Sequence, residues 1–147
     1  MEKLLVSACL LGVASRYDGK SKKVLSENEM ARLAEKYDIV PFCPEIYGGL
    51  PTPRVPSERR DGGVYMKNGE CVTENYNKGA AEALHICRLL GIGRALLKER
   101  SPACGKDRIY DGSFSGVLVP GAGVAAELLM KNGISVYGES DIAELLK

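Results

Sequence analysis

Short apolar runs alternate with helix-spaced stretches along the chain. Lys3–Ala8 is apolar without a helical period, which predicts a buried strand. Ser26-x-x-Glu29 has capping-box spacing, and Met30, Leu33, Ala34 and Tyr37 follow at helical intervals, predicting a helix over 27–37. Asp38–Phe42 reads as a second strand, so the start of the chain forms a β-α-β unit with a parallel pair. Cys43–Asp61 has no regular pattern and holds Pro44, Pro51, Pro53 and Pro56; so long a structureless stretch in a small domain points to function. Val64–Thr73 predicts a hairpin with Asn68-Gly69 as a type I′ turn. Thr73 is placed to cap a long helix whose apolar face is Tyr76, Ala80, Ala83, Leu84, Cys87 and Leu90, and Gly91 ends it. Arg94–Glu99 is a third strand, and Ile109–Pro120 is ambiguous, rich in glycine and turn residues. A helix over Ala122–Lys131, with Val124, Ala125, Leu128 and Leu129 on its apolar face, leads to a fourth strand at Ile134–Tyr137. Asp141-x-x-Glu144 then caps a short last helix. The pattern predicts an α/β fold, a three-layer sandwich with a Rossmann-like, mostly parallel sheet and helices on both faces. It predicts one domain over residues 1–147, without internal repeat, linker or low-complexity tract.

Composition narrows the class without naming a function. Hydrophobic residues make up 45% and charged residues 27%, as in an ordinary globule. A formal net charge of +1 offers no global field for nucleic acid, and Lys20, Lys22 and Lys23 read as solvated surface. No apolar stretch approaches the length of a membrane span, and Met1-Glu2-Lys3 does not open a signal peptide. The expectation is a reducing, cytoplasmic setting, where five cysteines are packed, catalytic or metal-bound rather than disulfide-paired.

Three of those cysteines share one topological position. Cys9, Cys43 and Cys104 each follow an apolar run and open a loop, 34 and 61 residues apart. Residues just past the carboxyl ends of parallel strands converge on one crevice. Three converging thiolates suit a metal or an iron–sulfur cluster that keeps one coordination position free. Cys71, in the predicted hairpin, and Cys87, on the apolar helix face, read as packing residues. No Cys-x-x-Cys pair is present, which argues against a zinc ribbon and a thioredoxin-type motif. The single histidine, His85, lies mid-helix and far from the three loops, so a Cys–His nucleophilic pair is not expected.

Polar residues beside the thiols are the next candidates. Glu45 follows Cys43 by two residues, with Pro44 between them; Ser7 precedes Cys9, and Ser101 precedes Cys104. A carboxylate held near a Lewis-acidic iron, away from bulk water, could act as general acid or base. A salt bridge for Glu45 and turn hydrogen bonds for the serines fit the spacing equally well. Gly121-Ala122-Gly123-Val124-Ala125-Ala126 matches G-x-G-x-x-A, but it does not lie in the first strand-to-helix turn, so close helix packing is the better reading of its glycines.

Three linked motifs then carry a resemblance over essentially the whole chain. Ser7-Ala8-Cys9-Leu10-Leu11-Gly12 with Arg16-Tyr17-Asp18-Gly19, Cys43-Pro44-Glu45 with Leu50-Pro51-x-Pro53-Arg54, and Lys98-Glu99-Arg100-Ser101-Pro102-x-Cys104-Gly105 resemble the thiouracil desulfurase family. That resemblance implies a 4Fe–4S cluster on Cys9, Cys43 and Cys104, with the fourth iron free to take the substrate's sulfur. It implies non-redox chemistry in which water replaces sulfur on a pyrimidine ring and sulfide is released. It further implies catalytic roles for Glu45 and Ser101 and substrate-binding roles for Ser7, Asp18 and Arg54. Ala103 departs from the serine common in relatives, removing a hydroxyl beside the cluster while leaving the ligand set intact. Some relatives act on thiolated nucleosides in transfer RNA through a second domain; near-neutral charge here favours a free thiolated base or nucleoside. Two other readings of the same residues remain at this point. One is a cluster-free redox or thiol-transfer protein with a low-pKa thiolate. The other is a zinc-stabilised binding module.

Overall fold

The computed structural model describes residues 1–20 and 24–147, so Lys22 and Lys23 of the basic group lie outside the described residues. Four parallel strands form the main sheet: β1 (Glu2–Ser7), β2 (Tyr37–Phe42), β5 (Arg94–Leu97) and β8 (Ser135–Gly138), in the order β2-β1-β5-β8. α1 (Glu27–Lys36) crosses from β1 to β2. α3 (Thr73–Leu90) returns from β2 to β5, and α4 (Val124–Lys131) connects β5 to β8.

Period-two alternation divides the core between the two faces of the sheet. Leu5, Ala95, Leu97 and Val136 pack with Tyr76, Ala83, Leu84 and Cys87 of α3 and Ala126 and Leu129 of α4. Leu4, Val6 and Leu96 face the other way, onto Leu33 of α1 and onto Ile142 and Leu145 of α5 (Ile142–Leu145). This is the expected three-layer sandwich. Each fully buried leucine contributes on the order of 1.5–3 kcal/mol of apolar burial, which is why two central strands carry the densest apolar runs.

Chain direction reverses beside β1. The β1-to-β2 crossover moves one way along the sheet with its helix on one face; the later crossovers move the other way with α3 and α4 on the opposite face. The crevice at the carboxyl ends of β1 and β5 is therefore a topological switch point, the place where open α/β sheets bind ligands.

Several local expectations need correction. Cys43–Asp61 is not structureless: it holds α2 (Pro44–Tyr47), with Pro44 in the first turn, and β3 (Ser57–Arg60). β3 pairs antiparallel with β4 (Gly63–Met66) through Asp61-Gly62, both at positive φ, so the two-residue primed turn is here and not at Asn68-Gly69. At 68–69 only Gly69 has positive φ, in a three-residue loop that brings Cys71 into an isolated bridge with Tyr65. Thr73 does not cap α3: the N-cap is Val72, and the Thr73 hydroxyl instead accepts the Val64 N–H at 2.9 Å. Asp141 likewise gives its carboxylate to the Gly138 N–H and Lys106 rather than to its own helix. Cys71 is exposed rather than packed, whereas Cys87 is buried as expected. Ile109–Pro120 resolves into a hairpin of β6 (Arg108–Tyr110) and β7 (Leu118–Pro120). The Ser26–Glu29 capping box and the left-handed Gly91 C-cap are present.

Candidate metal centre

The three candidate ligands follow three neighbouring strands. Cys43 comes after β2, Cys9 after β1 and Cys104 in the loop after β5, all at the carboxyl edge around the switch point. Their charges act on one another: Cys43 on Cys9, and both on Cys104. Cys9 and Cys43 are half-buried and Cys104 is buried.

Local structure fixes each thiol differently. β1 runs into a 3-10 turn over Ala8–Leu11 that carries Cys9 and closes on Gly12. Cys43 is the N-cap of α2, and its thiol faces the Ser15 carbonyl at 4.0 Å. α2 can sit there because Gly79 of α3 carries no side chain; a Cβ at that position would lie 1.9 Å from the Pro44 carbonyl oxygen. A glycine inside a helix costs about 1 kcal/mol against alanine, so this contact explains its presence. Cys104 sits in a tightly bonded loop: the Ser101 hydroxyl accepts the N–H of Ala103 at 3.1 Å and of Cys104 at 3.0 Å. Carbonyls of Pro102, Ala103 and Gly105 accept the first N–H groups of the α4 segment, and Gly123 lies against the Cys104 backbone. The helix N-terminus behind the G-x-G-x-x-A run is thus filled by the Cys104 loop, leaving no place for a pyrophosphate.

Burial raises all three thiols. It pushes Cys9 up to about 11, with the neighbouring Cys43 adding to the rise and Lys98 opposing it. It pushes Cys43 up against the helix-terminal N–H of Ile46. It raises Cys104 furthest, although a hydrogen bond from the Ser7 hydroxyl favours its thiolate. Such thiols are poor free nucleophiles at neutral pH, but a bound cation reverses the balance and deprotonates them. That chemistry fits a metal group better than a low-pKa redox thiol. Among the described residues, no group of three His, Cys, Asp or Glu side chains is arranged to hold a metal ion. A cluster takes each thiolate on a different iron, so its ligands border a space instead of closing on one ion.

Glu45, in the first turn of α2, is held at both carboxylate oxygens. Arg54 Nη2 lies 2.7 Å from Oε2, and the Tyr76 phenol donates to Oε1. The Arg54 side chain is 2% exposed and also donates to the Ser15 carbonyl at 3.0 Å, to Pro51 O at 3.2 Å and to Thr52 Oγ1 at 3.0 Å. Burial, then Glu45, holds Tyr76 far above the usual tyrosine range, so it stays a phenol and a donor; the Ser57 hydroxyl bonds its oxygen. Ser15 Oγ and Arg54 Nε are buried without a partner among the described residues.

The structure gathers Ser7, Glu45, Arg54 and Ser101 around the cysteines, but not in equivalent ways. Ser7 is 2% exposed, accepts the Lys98 N–H and bonds Cys104, so it lies behind the ligand. Ser101 braces the Cys104 loop. Asp18 makes local contacts, accepting the Lys20 N–H at 3.0 Å and lying 3.7 Å from Arg16. Sequence reasoning missed Tyr76 and Ser15. Tyr76 was counted as core, and its only signal was that a buried phenol needs a partner. Two surface grooves, one between the β3–β4 and β6–β7 hairpins and one near Cys87 and Ile134, are lined by none of the three candidate ligands.

The chain matches the family model described as 2-thiouracil desulfurase over residues 4–141. It is 36% identical over 153 residues to the uncharacterized protein YbbK of Bacillus subtilis (strain 168), spanning 97% of this chain and 99% of that one. It is 48% identical to a solved structure of the 4Fe-4S-dependent thiouracil desulfidase TudS, with a TM-score of 0.92, over 99% of this chain and 95% of that one. On the family match over nearly the full length, this chain belongs to the 2-thiouracil desulfurase family.

Proposed function

We propose that the chain is a 4Fe–4S-dependent desulfidase that replaces the sulfur of a thiolated pyrimidine with oxygen. The observation that carries the reading is one buried and two half-buried thiols after three adjacent strands, beside a carboxylate clamped at both oxygens. Cys9, Cys43 and Cys104 would hold the cluster, which when bound supplies a Lewis-acidic iron for the substrate's sulfur.

The remaining work falls to protein groups. Glu45 accepts a proton as the oxygen of water adds to the ring carbon, and returns one to the departing sulfur. Water and a thiocarbonyl become a carbonyl and hydrogen sulfide, with no net change of oxidation state. Arg54 and Tyr76 fix the direction of the Glu45 carboxylate, so its free lone pairs point one way. Ser7 would donate to the Cys104 sulfur, and Ser101, whose Oγ accepts two N–H groups of the Cys104 loop, keeps its own O–H to donate in the catalytic role that the resemblance implies. Near-neutral charge favours a free base or nucleoside over a polynucleotide.

The test is anaerobic incubation of the reconstituted chain with 2-thiouracil, 4-thiouracil and 2-thiouridine, measuring the oxo product and sulfide. The reading expects equal amounts of both from at least one substrate, without added reductant. A fully loaded protein that consumes none of them, or needs an electron donor, would contradict it.

A further inference from the structure

We infer that Lys98 and Glu139 form a charge pair that tunes the electrostatic field of the cluster site from its Cys9 side, with Lys98 as the positioning residue. The inference rests on the cluster reading above. Strand register brings the groups together. Val6 pairs with Leu96 and Leu97 with Gly138, so the next positions set Lys98 between the turn that carries Cys9 and Glu139. All three then lie at the same carboxyl edge on adjacent strands.

The pair is anchored. The Lys98 ammonium lies 2.8 Å from Glu139 Oε2 and donates to the Glu99 carbonyl at 3.0 Å. The other Glu139 oxygen accepts the Glu99 N–H at 2.6 Å, and the Glu139 side chain is only 16% exposed. The Lys98 backbone N–H donates to Ser7 Oγ at 3.0 Å, which holds the end of β5 against the strand end that leads into the Cys9 turn. Three thiolates outweigh the positive charge of an oxidised cluster core, so the loaded site is anionic and responds to nearby charge. Lys98 offsets that charge, and Glu139 limits how far.

A structural salt bridge and an electrostatic device make different predictions, because the two partners have opposite signs. Full-length wild type, Lys98→Gln, Lys98→Arg and Glu139→Gln are reconstituted without oxygen. Iron and sulfide per chain, iron loss to a chelator and the cluster's reduction potential are measured for each. Lys98→Gln should shift the potential negative and lose iron faster; Glu139→Gln should shift it positive; Lys98→Arg should stay near wild type. Shifts in the same direction for both neutral variants, or none, overturn the inference while leaving the cluster intact. If Lys98→Gln takes up no cluster, Lys98→Arg must load and Glu139→Gln must still shift positive, or the inference fails. A wild type that takes up no cluster overturns the underlying reading, and the inference with it.

Discussion

The two sides of the candidate metal centre are built to opposite plans. On the Cys104 side, a short loop has its N–H groups on Ser101, its carbonyls on α4 and its backbone against Gly123. The thiol there is buried and hydrogen-bonded by Ser7. On the Cys9 and Cys43 side, half-buried thiols meet a proline-rich segment, a buried arginine and two buried polar atoms without partners among the described residues. One side is an anchor. On the proposed reading the other is where substrate and protons would act, and unsatisfied buried polar groups cost on the order of 1–3 kcal/mol each to keep.

Substitutions on the two sides should therefore fail differently. The largest effect is expected at the anchor: Cys104→Ser should abolish cluster uptake and activity together, seen as loss of iron on anaerobic reconstitution. Full loading of that variant would break the comparison. Next comes the mouth, where Glu45→Gln should load normally yet lose turnover by about 10²–10⁴-fold, the usual range for a positioned acid–base group. Steady-state rates normalised to iron content decide it.

Gly123→Ala tests the anchor by packing alone. Its φ of −65° suits any residue, but a Cβ would sit 2.4 Å from Ala103 C. Overpacking of that kind costs about 1–3 kcal/mol, measurable by denaturant titration. Tyr76→Phe should be milder still, with kcat falling about tenfold, or about 1.4 kcal/mol, while KM and iron content hold. A lowered melting temperature with unchanged kcat would reduce Tyr76 to a core residue. The smallest effects concern the bystander cysteines. Hydrogen bonds from Thr73 lower the exposed Cys71 thiol, and burial pushes Cys87 up to about 11. More thiolate and more exposure mean that Cys71 should be alkylated first and Cys87 last among the two, by mass spectrometry of timed iodoacetamide reactions.

The sheet and the ligand positions were legible in the sequence because strand-to-loop boundaries are marked by where apolar runs stop. Leu4–Val6, Ile39–Phe42 and Ala95–Leu97 are such runs; Cys9 and Cys43 lie just beyond the first two, and Cys104 lies in the loop after the third. The neighbours of the site were less legible. Thr73 and Asp141 have cap-like spacing, but tertiary partners, Val64 and Lys106, take their oxygens. Asp61-Gly62 straddles the end of a segment read as loop, although it carries as strong a hairpin signal as Asn68-Gly69. Tyr76 falls on the apolar face of α3 at helical spacing, and periodicity cannot tell a core ring from one whose hydroxyl reaches a carboxylate. Glu45 and Ser101 looked alike beside their cysteines; the sequence does not show that Arg54 and Tyr76 hold the carboxylate while the Ser101 oxygen accepts two N–H groups of the Cys104 loop.

The central claim is that Cys9, Cys43 and Cys104 border a space for one cluster. Its most direct test is the iron and acid-labile sulfide content of wild-type protein prepared without oxygen. The account predicts about four of each per chain with broad absorbance near 400 nm, both lost on replacing any of the three cysteines. A colourless protein holding stoichiometric zinc, or no metal at all, would contradict it.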